Sequence, residues 1–476
     1  MLSQKKELFR QEIRKQELDE IFNQNRKKLM LKNDIQLYQE QMYNEIIHLQ
    51  KQIEIDKNFN IQKFDLLKPI LERDLTNQTI LLLQLIVKKL KDEKQIEDLE
   101  NLFEDYHLGS RILSMCEKEQ NLAYLDEQLY LLGLLSQSSL LCQAKMIQLK
   151  IVQSLNQIID LEIESDDYIM STIIFLMTSF IKSDNRIPFK NFQQLMSILD
   201  KLCKKLRGIN YLDIEFDFEN NVKYLETKHS LLNRILLFAL QFIDKSQFTT
   251  NLTVYHNFWI ILTTLAFIVE KQYKLRQTAL QVISESIKLN DQQLKSDIIE
   301  KQPDIFLQLI TIINHHQQTN KTYDKCIRSQ ASIIIKQLLF EQSQFIIQNI
   351  HLNQIPIQFL LLVLKEKDSR VIYHQLEVLI LLCSSSTQEQ STHLINNGLL
   401  ILLISQYKQM YELQDYTLSK LLIQLTFAVL QHYSSDNLIL NFMKQYLINQ
   451  YLTDITINCK HLNTCRIADK LLKYIK

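Results

Sequence analysis

The stretch FIIQNIHLNQIPIQFLLLVLKEKDSRVIYHQLEVLILLCSSS, residues 345–386, decides the fold. Two apolar runs of helical length stand on either side of the polar break KEKDS (365–369). Upstream, LKSDIIEKQPDIFLQLITII (294–313) leads into CIRSQASIIIKQLLF (326–340). Downstream, THLINNGLLILLISQY (392–407) leads into LSKLLIQLTFAVLQHY (418–433). One grammar repeats: a short helix, a tight break, a core helix ending in a polar turn, then a longer apolar helix. The units return about every 40–45 residues, with slack in places. No such unit buries its apolar face alone, so stacking of neighbours must supply the core.

This reading predicts an all-α chain, an α-α superhelix of armadillo or HEAT type over residues 76–476. The composition agrees. Four glycines and four prolines in 476 residues are too few for the turns of a sheet protein, and no glycine cluster exists to cradle phosphate. The chain is also too long for one ordinary core. Polar breaks are expected at 91–95, 164–167, 182–188, 244–247, HHQQTNK (315–321), 365–369 and 384–390. Ahead of the solenoid, residues 33–75 form an amphipathic helix and linker, with Ile35, Tyr38, Met42, Ile46, Leu49 and Ile53 at helical spacing. Residues 1–32 form a basic, helix-prone arm.

Several function classes have no support. The formal net charge is zero, which argues against nonspecific nucleic-acid binding by the body. Apolar runs such as 355–364 and 394–404 are too short to span a bilayer, so no membrane insertion is expected. Seven scattered cysteines without a CxxC suit free buried thiols in a reducing compartment. Cys459, His461 and Cys465 give C-x-H-x3-C, which is not a standard zinc spacing, and His315-His316 falls in an expected polar loop. No nucleotide, metalloprotease, hydrolase or kinase signature occurs. We therefore expect no catalytic residue, metal or cofactor, and an adaptor instead of an enzyme.

The arm, KKELFRQEIRKQELDEIFNQNRKKLMLK (5–32), carries nine basic residues against five acidic ones. Charge alone describes a solvated amphipathic helix. Its pattern, however, resembles the importin-β-binding segment that precedes the armadillo repeats of importin-α proteins. Glu12-Ile13-Arg14-Lys15 fits the family's E-L-R-K core, Asp19-Glu20 its acidic pair, and Arg26-Lys27-Lys28 its second basic cluster. Glu17 and Leu18 stand where the family carries basic residues. The repeats are similar too: residues 290–313 match a family helix pair with Asp304 in place of a usual glycine, and 392–407 keeps that glycine as Gly398. The resemblance implies an importin-β-like receptor held through Arg14, Lys15, Arg26, Lys27 and Lys28, with a cargo protein or peptide in the solenoid groove. Residence in cytoplasm and nucleus goes with it.

In that family the groove holds basic peptides with W-x-x-x-N pairs, the two positions sharing one helix face. Asparagine clamps the peptide backbone, and tryptophan rings form lysine slots worth about 0.5–2 kcal/mol each. Here the pairs are broken. Trp259 is present with Thr263 at the asparagine position, and Asn156 is present with Val152 at the tryptophan position. Phe175 and Ser179, Leu237 and Gln241, Ile333 and Gln337, and Val378 and Leu382 fill the other places. Asn156 and Trp259 are the cargo-groove candidates, with core packing the competing fate of a lone tryptophan. The acidic run Glu162, Glu164, Asp166 and Asp167 reads as a solvated loop or a groove rim. A different class of function, an armadillo/HEAT scaffold for a cytoskeletal, ciliary or trafficking assembly, fits the same pattern with the arm as a partner helix.

Overall fold

The computed structural model describes residues 37–55, 67–72, 75–119, 121–160, 167–182, 189–206, 222–245, 252–268, 272–288, 292–319, 322–340, 354–413, 416–432, 441, 448–459 and 461–475. Every regular element among them is helical. The chain divides into two compact units, residues 1–112 and 113–476.

In the first unit, α1 (Leu37–Ile55), α2 (Leu67–Glu72), α3 (Asn77–Asp92) and α4 (Ile96–Asp105) follow one another, and α5 (Leu108–Cys116) crosses the division. The amphipathic helix expected near 35–55 is α1. It buries Ile46, Leu49 and Ile53, and packs along α3. Lys89 Nζ of α3 donates to the carbonyl of Glu54 at 3.4 Å, satisfying an end group of α1. Thr76 caps α3 in a reciprocal exchange with Thr79.

The second unit contains α6 (Leu122–Ser138), α7 (Leu140–Gln148), α8 (Ile151–Asp160), α9 (Asp167–Lys182), α10 (Phe189–Leu206) and α11 (Val222–Lys245). Next come α12 (His256–Thr263), which runs on into a π-helical turn over Thr264–Ile268, then α13 (Tyr273–Lys288), α14 (Gln292–Lys301), α15 (Ile305–Thr319) and α16 (Thr322–Leu339). The unit closes with α17 (Ile355–Lys365), α18 (Ser369–Ser384), α19 (Gln388–Asn396), α20 (Leu399–Leu413), α21 (Ser419–Leu430), α22 (Ile448–Asn458) and α23 (Leu462–Ile475).

Helix contacts sort these elements into two rows. In row A, α6, α9, α11, α13, α16, α18, α21 and α23 each pack on the next. In row B, α8, α10, α12 with its π turn, α15, α17, α20 and α22 do the same. The chain alternates between rows, and the short helices α7, α14 and α19 each precede a row B helix. That is an α-solenoid, with a continuous core between the rows. Row A helices begin at residues 122, 167, 222, 273, 322, 369, 419 and 462. Their intervals, 43 to 55 residues, run longer than the 40–45 expected because the connections vary in length.

Helix α18 shows how sequence sets one element. Asp368 accepts from the backbone N–H groups of Arg370 and Val371, which caps the start. Val371, Ile372, Leu376, Leu379, Leu382 and Cys383 are then buried at helical spacing, each worth roughly 1.5–3 kcal/mol for the larger side chains. At the corner between α19 and α20, Gly398 adopts φ 107°, a left-handed geometry that favours glycine. Lys150 takes φ 61° at the matching corner between α7 and α8. Asp304, at the corner between α14 and α15, is not left-handed, so that turn works without the glycine.

The break expected at HHQQTNK (315–321) is a correction. Helix α15 continues to Thr319, and His316 is fully buried. Its polarity serves an internal network. Arg276 Nη1 of α13 lies 3.1 Å from His316 Nε2, and His316 Nδ1 lies 2.7 Å from Asp324 Oδ1 of α16. A guanidinium only donates, so Nε2 accepts and the imidazole is neutral with its proton on Nδ1. Beside it, Arg328 donates from Nε and Nη2 to the two oxygens of Glu366 at 2.8 and 3.0 Å, and from Nη1 to the carbonyl of His316. Arg328 and Glu366 thus form a buried ion pair, while neutral His316 bridges Arg276 to Asp324.

Candidate functional site

Row B places Asn156 on α8, against α10. Between those two helices lies a cleft of about 260 Å³ lined by Gln153, Asn156 and Gln157 of α8 and Gln194 and Ser197 of α10. None of the five carries a charge, so the lining is amide and hydroxyl. The Asn156 Oδ1 atom is covered and has no hydrogen-bond partner among the described residues. One turn further along both helices, Lys201 Nζ pairs with Asp160 at 2.7 Å. Helix α8 exposes Gln153 and Gln157 because its opposite face buries Ile151, Val152, Leu155, Ile158 and Ile159. Of the sequence candidates, Asn156 is the one placed in a cleft. Gln153, Gln157, Gln194 and Ser197 were missed, since only the packing of α8 on α10 joins them.

Trp259 has a different fate. Asp200 of α10 accepts from the backbone N–H of Phe258 at 2.9 Å and from Asn257 Nδ2 at 2.8 Å, which fixes the start of α12. The indole that follows is 5% exposed, packed in the core. A ring so covered presents no face to a lysine stem, which corrects the groove expectation for Trp259. Thr263 spends its hydroxyl on its own helix, donating to the Trp259 or Ile260 carbonyl.

The remaining aligned positions lie on row A, not beside Asn156 and Trp259. Phe175 packs 5.5 Å from the Tyr130 ring, with Gly133 leaving it room: a Cβ there would meet Phe175 at 2.5 Å. Val378 and Leu382 are core residues, and Ser284 Oγ donates to Gln337 Oε1 at 3.2 Å. The broken pairs therefore belong to two rows and form no single array. The arm residues Arg14, Lys15, Arg26, Lys27 and Lys28 lie outside the described residues, as do Glu162, Glu164 and Asp166.

Among the described residues, no group of three or more His, Cys, Asp or Glu is arranged to hold a metal ion. The Cys465 thiol instead donates to the Cys459 carbonyl, with the sulfur at 3.2 Å. All seven cysteines are free, and Cys326 on row A is the exposed one. No described helix is long and apolar enough to cross a membrane.

No protein-family profile matches the chain, and no curated protein matches it. Solved structures of two engineered proteins align with it. One has TM-score 0.46 and 11% identity, covering 90% of this chain and 98% of its own. The other has TM-score 0.39 and 10% identity, covering 58% of this chain and 97% of its own. The class of the protein, an α-solenoid, rests on the two rows of helices themselves.

Proposed function

We propose that this chain is a nuclear-import adaptor of importin-α type, engaging an importin-β-like receptor through its basic arm and a cargo protein along the solenoid. The amide cleft at Asn156 is the observation that carries the cargo half of the reading. Amide side chains both donate and accept, so they suit the main chain of an extended segment. Gln153 and Gln157 are exposed on the same face of α8 and line the cleft, so their amides are open to a partner's main-chain N–H and C=O groups. With Trp259 in the core, cargo is read through its backbone and not through tryptophan slots for lysine. The arm half rests on resemblance at Arg14, Lys15, Arg26, Lys27 and Lys28.

A pull-down of the full chain with importin-β tests it. Binding should weaken as salt rises and fall about tenfold or more when Arg14 and Lys15 both become Ala. No binding, or equal binding by the variant, sinks the adaptor. A second reading, a scaffold with no transport role, is favoured by apolar side chains exposed on adjacent row B helices: Leu307 of α15, Leu361 of α17 and Ile401 of α20. Such a surface suits a helical partner. A nuclear-rim or shuttling signal in cells supports the adaptor, and a fixed cytoplasmic structure supports the scaffold.

A further inference from the structure

Tyrosines gather where row B ends. Tyr407 of α20 stacks on Tyr451 of α22, with ring centroids 6.1 Å apart and planes within 5°. Tyr411, one turn further along α20, lies 5.7 Å from the same Tyr451 ring at 54°. Tyr416, just past the end of α20, donates from its hydroxyl to Asp454 Oδ2 of α22 at 2.6 Å. The pairing 407 to 451 and 416 to 454 means that α20 and α22 run in the same direction. Their C-terminal ends, at Leu413 and Asn458, therefore lie on one side of the row.

Asp454 brings a carboxylate to that corner. Asp454 receives one neutral donor on each oxygen, Tyr416 on Oδ2 and Asn458 Nδ2 on Oδ1 at 2.7 Å, and no cation pairs with it among the described residues. The last carbonyls of α20 and α22 add the negative ends of two helices, and neither helix has a basic residue in its last turn. Tyrosine faces attract cations through their ring quadrupoles. Ile457, one turn from Asp454 along α22, is 74% exposed, enough apolar surface for an aliphatic stem. Lys408, the nearest cation on α20, is 3.7 Å from Glu412 and pairs there.

We propose that the corner built by Tyr411, Tyr416 and Asp454, backed by the buried ring of Tyr451, binds a lysine side chain of a partner protein. Its ammonium sits against the Tyr411 and Tyr416 rings and the Asp454 carboxylate, and its methylenes lie on Ile457. This site is separate from the amide cleft and does not depend on the transport reading.

The test titrates the full chain with a fluorescein-labelled, end-capped Gly-Lys-Leu-Lys-Gly peptide, followed by anisotropy, against the same peptide carrying Gln for Lys. The lysine peptide should bind about tenfold or more tighter. Asp454→Asn and Tyr411→Leu should each weaken it about fivefold or more, with helical circular dichroism unchanged. Glu389→Gln, an exposed carboxylate on α19, controls for general charge and should bind as wild type. Failure of wild type to prefer the lysine peptide, or wild-type binding by both Asp454→Asn and Tyr411→Leu, overturns the site.

Discussion

His316 has no charge although it touches a carboxylate, and its surroundings explain why. Burial holds its pKa below the ordinary histidine value; the Asp324 hydrogen bond pulls it up, while Arg276 and His315 push it down. The edge of the Tyr273 ring, 5.7 Å away, covers a further side. An imidazolium would turn an N–H toward the Arg276 guanidinium and lose that acceptor. The unfolded chain takes the proton at about pH 6.5, and the folded chain only at a lower pH. The stabilisation is therefore complete above about pH 6.5 and is lost as pH falls through the folded value. Thermal unfolding should show a melting temperature that drops between pH 7 and pH 5, with a shallower drop for His316→Gln. An equal slope in both proteins removes His316 from the account.

The helix corners hold the lesson at the scale of elements. Gly398 joins α19 to α20 at φ 107°, and its added Cβ would find space, meeting Leu364 Cδ1 only at 3.5 Å. The obstacle to another residue is thus the backbone angle and not a clash. Gly398→Ala should cost about 1–2 kcal/mol, read from urea unfolding, with no change in helix content. A loss under a few tenths would show that the corner relaxes. Most elements were legible in sequence because apolar spacing and polar breaks such as KEKDS coincide with α17, Glu366 to Asp368 and α18. Residues 315–319 misled because Arg276, Asp324 and Arg328 satisfy buried polar groups from other helices, which no local pattern reveals. The candidate site was legible only at Asn156. Helical spacing is the same in both rows, so positions four apart on row A and on row B look alike in a sequence, and Trp259 was grouped with residues it does not join.

In the 113–476 unit, each row helix gains its core from its immediate neighbours. Stability is then a sum of local terms, and a long array need not unfold as one. Trp259 is the one tryptophan of the chain and reports on α12 alone, whereas circular dichroism averages over every helix. In a urea titration the two signals should give midpoints that differ; coincident curves would mean that the rows unfold cooperatively. The buried pairs Arg328–Glu366 and His316–Asp324 tie α15, α16 and the end of α17 together, so this segment is expected to be among the last to open.

Cys326, the exposed thiol on α16, has a use beyond its own chemistry. A maleimide acceptor attached there, with the lone indole of α12 as donor, makes a resonance-energy-transfer ruler between row B and row A without any substitution. Cargo, receptor or peptide added to the natural chain can then be asked a mechanical question: whether the solenoid stretches or tightens between α12 and α16 when it takes hold.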